Sequence, residues 1–116
     1  METITLCENA VIGASGRLTS QPVNMQNLEG YMAIGAKIAG NGTARIFYEV
    51  SQDGHAWATP EGALDVLSTI TKTSGSGANG LVSAQFNPVL APWLRLVLTE
   101  TGGASPVLAT VRLTVQ

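Results

Sequence analysis

The sequence contains a single cysteine, Cys7, and a single histidine, His55, in 116 residues. One cysteine cannot form an intrachain disulfide, and one cysteine with one histidine cannot supply the four ligands of a structural zinc site. A chain of this length can bury roughly two-thirds of its unfolded surface in one core. We therefore expect a single domain over residues 1–116 that needs no disulfide, metal or cofactor, with Cys7 as a small buried hydrophobe.

Charged residues are also scarce. They make up 12% of the chain, against about 25% in an average domain. The formal net charge is −2, and the six basic residues are scattered along the chain. Proteins that bind nucleic acid carry a clustered basic face instead. The composition therefore predicts no nucleic-acid partner.

Long apolar segments are absent from the sequence. No run approaches the ~20 residues that cross a bilayer. The N-terminal stretch METITLCENAVIG lacks the basic start and the continuous apolar core of a signal peptide. We expect no membrane partner and no signal peptide, and the low cysteine content suits synthesis in a reducing compartment.

The sequence does contain a clear two-residue alternation of side chains. Between Ala44 and Val50 the even-numbered residues are apolar, and Arg45 and Glu49 stand between them. This period is typical of a strand with two different faces. Asp53-Gly54 follows, and Asp-Gly between extended segments is a strong hairpin signal. The stretch ARIFYEVSQDGHAW therefore predicts a strand, a tight turn and the start of the next strand.

A similar alternation runs from Gly30 to Ile38, where the glycines favour a strand over a helix. Asn41-Gly42 predicts a turn, so Gly30–Val50 is interpreted as a hairpin. The last third predicts another long hairpin, which turns at Gly102-Gly103. Its two strands are expected over Trp93–Thr101 and Val107–Val115.

Shorter segments complete the predicted set of strands. A loop or a single 3₁₀ turn is predicted at Thr59-Pro60-Glu61-Gly62, before the strand that is expected to start at Leu64 or Asp65. Seven to nine strands and no convincing helix indicate an all-β, single-domain antiparallel β-sandwich, either Ig-like or jelly-roll. The additional strands are expected over Thr3–Cys7, from Leu64 or Asp65 to Thr71, and over Leu81–Phe86.

Two short motifs match the residue types of a dinucleotide-binding site and of a catalytic triad. Gly75 to Gly80 matches GxGxxG, but a dinucleotide site needs a helix after the glycines, and LVSAQFNP predicts a strand. Ser51, Asp53 and His55 contain the residue types of a catalytic triad, yet they lie in one turn where adjacent side chains diverge. Asp53 also lacks partners at the spacing of a calcium loop. The sequence therefore predicts no enzyme activity.

Aromatic residues make up only 5% of the chain. Tyr31, Trp57 and Trp93, with Tyr48, could form a platform on which a sugar ring stacks, as in a carbohydrate-binding or adhesion module. The simpler interpretation is that they are core or interface residues. Tyr31, Trp57 and Trp93 are the candidate residues for an interface or for sugar stacking.

The order of four segments resembles a known class of proteins. These are FYEVSQDGHAW, a Gly/Ser-rich loop, APWLRLVLTETGG and the closing VLATVRLTVQ, within Gly30 to Gln116. Together they are similar to the small β-sandwich structural proteins of tailed-bacteriophage particles and prophages. The resemblance implies a non-enzymatic virion component, assembled in the bacterial cytoplasm, such as a capsid decoration protein or a tail or head-tail protein.

The resemblance also implies partners. A virion component of this kind contacts other virion proteins and forms homo-oligomers, either trimers or rings, with closed cyclic symmetry. The first thirty residues are irregular and mixed in character, and residues 1–22 are expected to be an extended arm or an edge segment that orders against a neighbour. The alternative from another class remains the carbohydrate-binding or adhesion module.

Overall fold

The computed structural model describes residues 1–26, 28, 30–61 and 65–116. In these ranges the chain forms nine strands and no helix, which confirms the all-β prediction. The strands are β1 (Glu2–Ile12), β2 (Arg17–Thr19), β3 (Val23–Asn24), β4 (Met32–Gly40), β5 (Ala44–Ser51), β6 (Leu67–Ile70), β7 (Leu81–Phe86), β8 (Trp93–Glu100) and β9 (Val107–Val115).

The strands form two antiparallel sheets that pack face to face. The first sheet has the order β1-β9-β4-β7. The second has the order β2-β8-β5-β6, and β3 also pairs with β8. The predicted β-sandwich is therefore confirmed. The first 22 residues contain β1 and β2, which are edge strands of the two sheets.

The core lies between the sheets and follows the alternation seen in the sequence. Ile34 and Ile38 of β4 and Leu113 of β9 point inward from the first sheet, and Ile46 and Leu96 point inward from the second; each is at most 1% exposed. Burial of such a side chain contributes roughly 1.5–3 kcal/mol. The apolar face of every long strand thus supplies the stability of the sandwich.

The two long hairpins predicted from the turn residues are wrong. β4 pairs with β7 and β9, whereas β5 pairs with β6 and β8. The Asn41-Gly42 turn and the 101–106 turn therefore each carry the chain from one sheet to the other. A hairpin and a connection between facing sheets both need strands with an apolar inner face and a tight reversal of the chain. The alternation and the turn residues therefore do not distinguish the two.

The segment after Asp53-Gly54 also differs from the predicted tight hairpin. The chain turns back, but it meets β5 only at a single bridge between Val50 and Ala58. The next strand, β6, begins at Leu67, later than the predicted start at Leu64 or Asp65. Leu64 and the end of the predicted turn at 59–62 lie outside the described residues.

Candidate functional site

The outer face of the second sheet gathers charged and aromatic side chains that are distant in sequence. Alternation directs three residues of β5 away from the core, and β8 and β2 contribute further residues from the same side. We call this surface the arginine face. It is formed by Arg17, Arg45, Phe47, Glu49, Trp57, Asp65 and Arg95.

Glu49 lies at the centre of the arginine face and is only 8% exposed. Its Oε1 accepts a hydrogen bond from Arg95 Nε at 2.8 Å, and Arg95 Nη2 lies 2.7 Å from the same oxygen. Its Oε2 lies 3.2 Å from Arg17 Nη2. Hydrogen bonds between ionised groups are about twice as strong as neutral ones. One carboxylate of β5 therefore holds guanidinium groups from the strand beside it and from the edge strand.

Arg45 and Phe47 form the second part of this surface. Arg45 Nε donates to Asp65 Oδ1 at 2.7 Å. Its guanidinium carbon lies 4.4 Å from the centroid of the Phe47 ring, and that of Arg17 lies 5.9 Å from the same ring. Cations within about 6 Å of a ring are attracted to its electron-rich face. Phe47 is thus flanked by two arginines.

The charges of the arginine face are largely balanced. Three arginines and two carboxylates lie together, and all five take part in ion pairs. The surface is therefore a network of paired charges with an excess of one positive charge. It differs from the extended basic patches that bind nucleic acid.

Trp57 and Trp93 are two of the aromatic residues singled out in the sequence. Trp57 lies at the end of the loop after β5, and Trp93 begins β8. Trp57 is half-buried, and the guanidinium carbon of Arg95 lies 4.4 Å from its ring centroid. Trp93 is also half-buried and pairs with Ser51 in the register. A Cβ built on Gly54 would lie 3.4 Å from Trp93 Nε1, so the loop packs against this indole.

Tyr31, the third aromatic candidate, lies in a different part of the molecule. It immediately precedes β4 in the first sheet, is 60% exposed and accepts the backbone N–H of Gln116 at 3.2 Å through its carbonyl. A depression of about 420 Å³ lies beside it, lined also by Gln85 and Asn87. Tyr31 thus belongs to the opposite sheet from the two tryptophans. The role of all three residues as an interface or in sugar stacking stays a prediction.

The loop at Asp53 is organised by its own backbone. Asp53 Oδ1 accepts the N–H of His55 at 2.8 Å, the N–H of Ala56 at 2.9 Å and the hydroxyl of Ser51 at 3.0 Å. These bonds, led by the one from Ala56, lower the pKa of Asp53 to about 2. The carboxylate binds the backbone of His55, and the Ser51 hydroxyl donates to Asp53. The three residues form a turn and have none of the contacts of a catalytic triad.

Glu100 is an important residue that sequence reasoning missed. It is 3% exposed and accepts four backbone N–H groups. Its Oε1 binds Ser15 at 2.9 Å and Gly103 at 2.8 Å, and its Oε2 binds Thr43 at 2.9 Å and Gly102 at 2.7 Å. These bonds, led by that from Ser15, lower the pKa of Glu100 to about 2. The only local signal was an acidic residue just before a Gly-Gly turn.

Two other sequence motifs have simple structural explanations. Gly75–Gly80 is followed by the strand β7, and no helix starts there, so the dinucleotide fingerprint is excluded. Cys7 is half-buried, and its thiol lies 3.5 Å from the carbonyl of Ala109. Burial raises the pKa of the Cys7 thiol, which keeps it protonated and weakly nucleophilic.

Within the described ranges, no three histidine, cysteine or acidic residues are grouped so that they could hold a metal ion. The same ranges contain no helix that is long and apolar enough to cross a membrane.

No protein-family model matches the chain. No curated protein is significantly similar to it in sequence. The fold is similar to that of a chain in the solved structure described as "Structure of infectious bursal disease virus Gx strain", with a TM-score of 0.44 and 19% sequence identity. The likeness covers 97% of this chain and 30% of the viral one.

Proposed function

We propose that this protein is a non-enzymatic structural subunit of a tailed-bacteriophage or prophage particle. It acts through protein-protein contacts, either as a capsid decoration protein or as a tail or head-tail component. The sequence resemblance over Gly30 to Gln116 indicates this class. The observation that carries the proposal is the arginine face, a surface of paired arginines and aromatic rings on the outside of the sandwich.

The composition of the arginine face suits a contact surface. Arginine and aromatic residues are enriched at protein interfaces. They are also frequent among the side chains that contribute most of the binding energy. Arg17 and Arg45 have side chains that are 50% and 43% exposed, so a partner can reach them. Their ion pairs already restrict their conformations, which lowers the entropy lost on binding.

The partners in this proposal are other virion proteins and further copies of the chain. Closed cyclic symmetry would arrange the copies as a trimer or a ring. Residues 1–22, which contain the edge strands β1 and β2, then lie against a neighbour as an edge segment. The place of action is the virion, after assembly in the bacterial cytoplasm.

The proposal is tested by measuring incorporation into particles. Particles from a host that carries the gene are purified, and copies of this chain per particle are counted by quantitative mass spectrometry. The double variant Arg17→Glu/Arg45→Glu should be lost from the particles, because its charges at the arginine face are reversed. Arg112→Glu is the control, since Arg112 is exposed on the opposite sheet.

Absence of the wild-type chain from purified particles would overturn the virion role. Equal incorporation of the arginine-face variant and the control would overturn the role of this face. Circular dichroism of each variant shows whether the fold is retained.

A further inference from the structure

The edge strand β7 has one unpaired side. β7 pairs with β4 from Met32–Phe86 to Lys37–Leu81, and no strand of the described ranges pairs with its other side. Backbone groups on the free side of an edge strand are a template for pairing with another strand.

The direction of these groups follows from one hydrogen bond. The carbonyl of Gly80 accepts the N–H of Ile38 on β4 at 3.0 Å. In an antiparallel ladder, successive residues direct their N–H and C=O groups to opposite sides. The backbone N–H and C=O groups of Val82, Ala84 and Phe86 therefore point toward β4. Those of Ser83 and Gln85 point to the free side.

The start of β7 is already covered by its own loop. The N–H of Leu81 donates to Asn79 Oδ1 at 3.2 Å. A Cβ on Gly75 would collide with the carbonyl oxygen of Leu81, so the loop packs directly against that group. The available edge consequently begins at Ser83.

The other edges of the sandwich are protected against pairing. β1 has two shifts of register in its pairing with β9, and β6 has one in its pairing with β5. β2 and β3 contain only three and two residues. Bulges and short strands are the usual devices that protect edges. By contrast, the six residues of β7 carry no charge, no proline and no bulge.

An open cleft lies beside this unprotected edge. Its volume is about 610 Å³, and it is lined by Leu67, Gly75, Ser76, Leu81, Val82 and Ser83. The inward side chains of β7 are only half-buried, in contrast to the fully buried ones on β4. A strand added to β7 would send alternate side chains into this cleft, so apolar residues there would gain burial.

We propose that β7 pairs with β7 of a second copy of this chain, across a two-fold axis perpendicular to the first sheet. With this axis, the core-facing sides of the two first sheets lie on the same side of the joined sheet, and the solvent-facing sides lie on the other. With Ala84 at the axis, Ser83 of each copy lies opposite Gln85 of the other, and four backbone hydrogen bonds form. This contact joins the two first sheets into one continuous sheet and does not rest on the virion role.

A second copy of the chain is the partner that the properties of this edge favour. An added strand must have apolar residues on its inner side and polar ones on its outer side. β7 has this pattern, with Val82, Ala84 and Phe86 inward and Ser83 and Gln85 outward. Two copies also bring no like charges together, because the strand is uncharged.

Sedimentation velocity over a concentration series of the full chain tests the proposal. The wild type should form a dimer as concentration rises. The amide protons of Ser83 and Gln85 should exchange more slowly in the dimer. Ser83→Pro removes an N–H that faces the second copy and leaves the β4 ladder intact. It should raise the dissociation constant roughly tenfold or more, because two bonds per dimer are lost.

A second variant guards against a failure of Ser83→Pro to fold. Ser83→Lys/Gln85→Lys places lysines opposite each other twice and should raise the dissociation constant by roughly tenfold. Thr101→Lys/Ala104→Lys is the control, with the same added charge on exposed positions of the connection between β8 and β9. It should leave the dimer unchanged.

Three outcomes would overturn the proposal. The first is a wild-type chain that stays monomeric up to its limit of solubility. The second is a dimer that the folded β7 variants leave as stable as the control does. The third is protection of the Ser83 and Gln85 amides only on purified particles, which would assign this edge to another protein.

Discussion

The Oε2 atom of Glu100 accepts the backbone N–H of Thr43 at 2.9 Å across 57 positions of sequence. The same carboxylate binds Ser15, Gly102 and Gly103. These partners lie in the β1–β2, β4–β5 and β8–β9 connections, each of which carries the chain from one sheet to the other. One buried side chain therefore holds together three crossings between the sheets.

Replacement of Glu100 by Gln should destabilise the fold although the two side chains have the same shape. An amide nitrogen cannot accept a hydrogen bond, so two of the four N–H groups would lose their acceptor and face another donor. The melting temperature should fall by several degrees, as measured by circular dichroism. Glu61→Gln, at an exposed position, is the control and should melt like the wild type. A Glu100→Gln variant that melts with the wild type would contradict the role of this carboxylate.

Stability should decrease in acid through the groups with lowered pKa values. The pKa of Glu100 is lowered from 4.5 to about 2 and that of Asp53 from 3.8 to about 2. A carboxyl group whose pKa is lower in the folded chain contributes full stability above its unfolded pKa and loses it as the pH falls through its folded pKa. The free energy of unfolding in urea should therefore decline between about pH 4.5 and 2.

Variants separate the two contributions to this pH dependence. Glu100→Gln and Asp53→Asn each remove one titrating group, so each should flatten part of the decline. Asp53→Asn should cost less stability at neutral pH, because its amide oxygen can still accept the N–H groups of His55 and Ala56. An unchanged pH profile in both variants would refute these assignments.

Replacement of Glu49 by Ala should destabilise the arginine face. Arg95 and Arg17 would lose a nearly buried carboxylate, and hydrogen bonds to charged groups contribute about 1.5–3 kcal/mol. Because Arg17 is half-exposed, solvent weakens its share, and we expect a total loss of about 1–3 kcal/mol in urea unfolding.

A double-mutant cycle gives a sharper check on Glu49. The coupling of Glu49 to Arg95 should exceed its coupling to Arg17, because Arg95 is less exposed and its contacts are shorter. Equal or reversed couplings would show that the geometry of the arginine face is wrong. Glu8→Ala, at an exposed position of β1, serves as a control for loss of one negative charge.

Replacement of Leu96 or Val111 by Asp should unfold the domain, whereas Thr99→Asp should not. Leu96 and Val111 are both fully buried at 0% exposure, and an unpaired buried carboxylate is strongly unfavourable. Thr99 lies on the outer face of the sheet, where it is half-buried and stands opposite Arg17 and Arg45 in the register, so a carboxylate there has cationic neighbours. Soluble yield and circular dichroism report the outcome. Equal yields of all three variants would contradict the assigned faces.

Thr69 should be a position where glycine stabilises the protein. It has a φ of +51° in β6, and a left-handed conformation costs a residue with a side chain about 1–2 kcal/mol. Thr69→Gly should raise the free energy of unfolding by up to about 1 kcal/mol, after the greater flexibility of glycine in the unfolded chain is subtracted. Ser68→Gly, the adjacent exposed position, should instead lower it by about 0.5–1 kcal/mol. The same sign for both variants in urea unfolding would contradict the strain at Thr69.

The sequence by itself determined the strands and their inner faces. The alternation in β5, β8 and β9 predicts strands whose apolar sides are the buried ones, because a pleated strand directs successive side chains to opposite faces. Glycines in β4 correctly favoured a strand over a helix. These properties depend on residues that are close in the sequence, so they can be predicted from the sequence alone.

Only the tertiary structure decided which strands pair and which polar groups meet. Asn41-Gly42 and Gly102-Gly103 have the residues of hairpin turns, yet both connect different sheets. Arg17, Glu49 and Arg95 are scattered in sequence and converge only because β5 and β2 both pair with β8. Glu100 likewise finds its donors in three distant turns. Pairing and long-range hydrogen bonds depend on how the two sheets pack, and a pattern with a period of two residues does not record that packing.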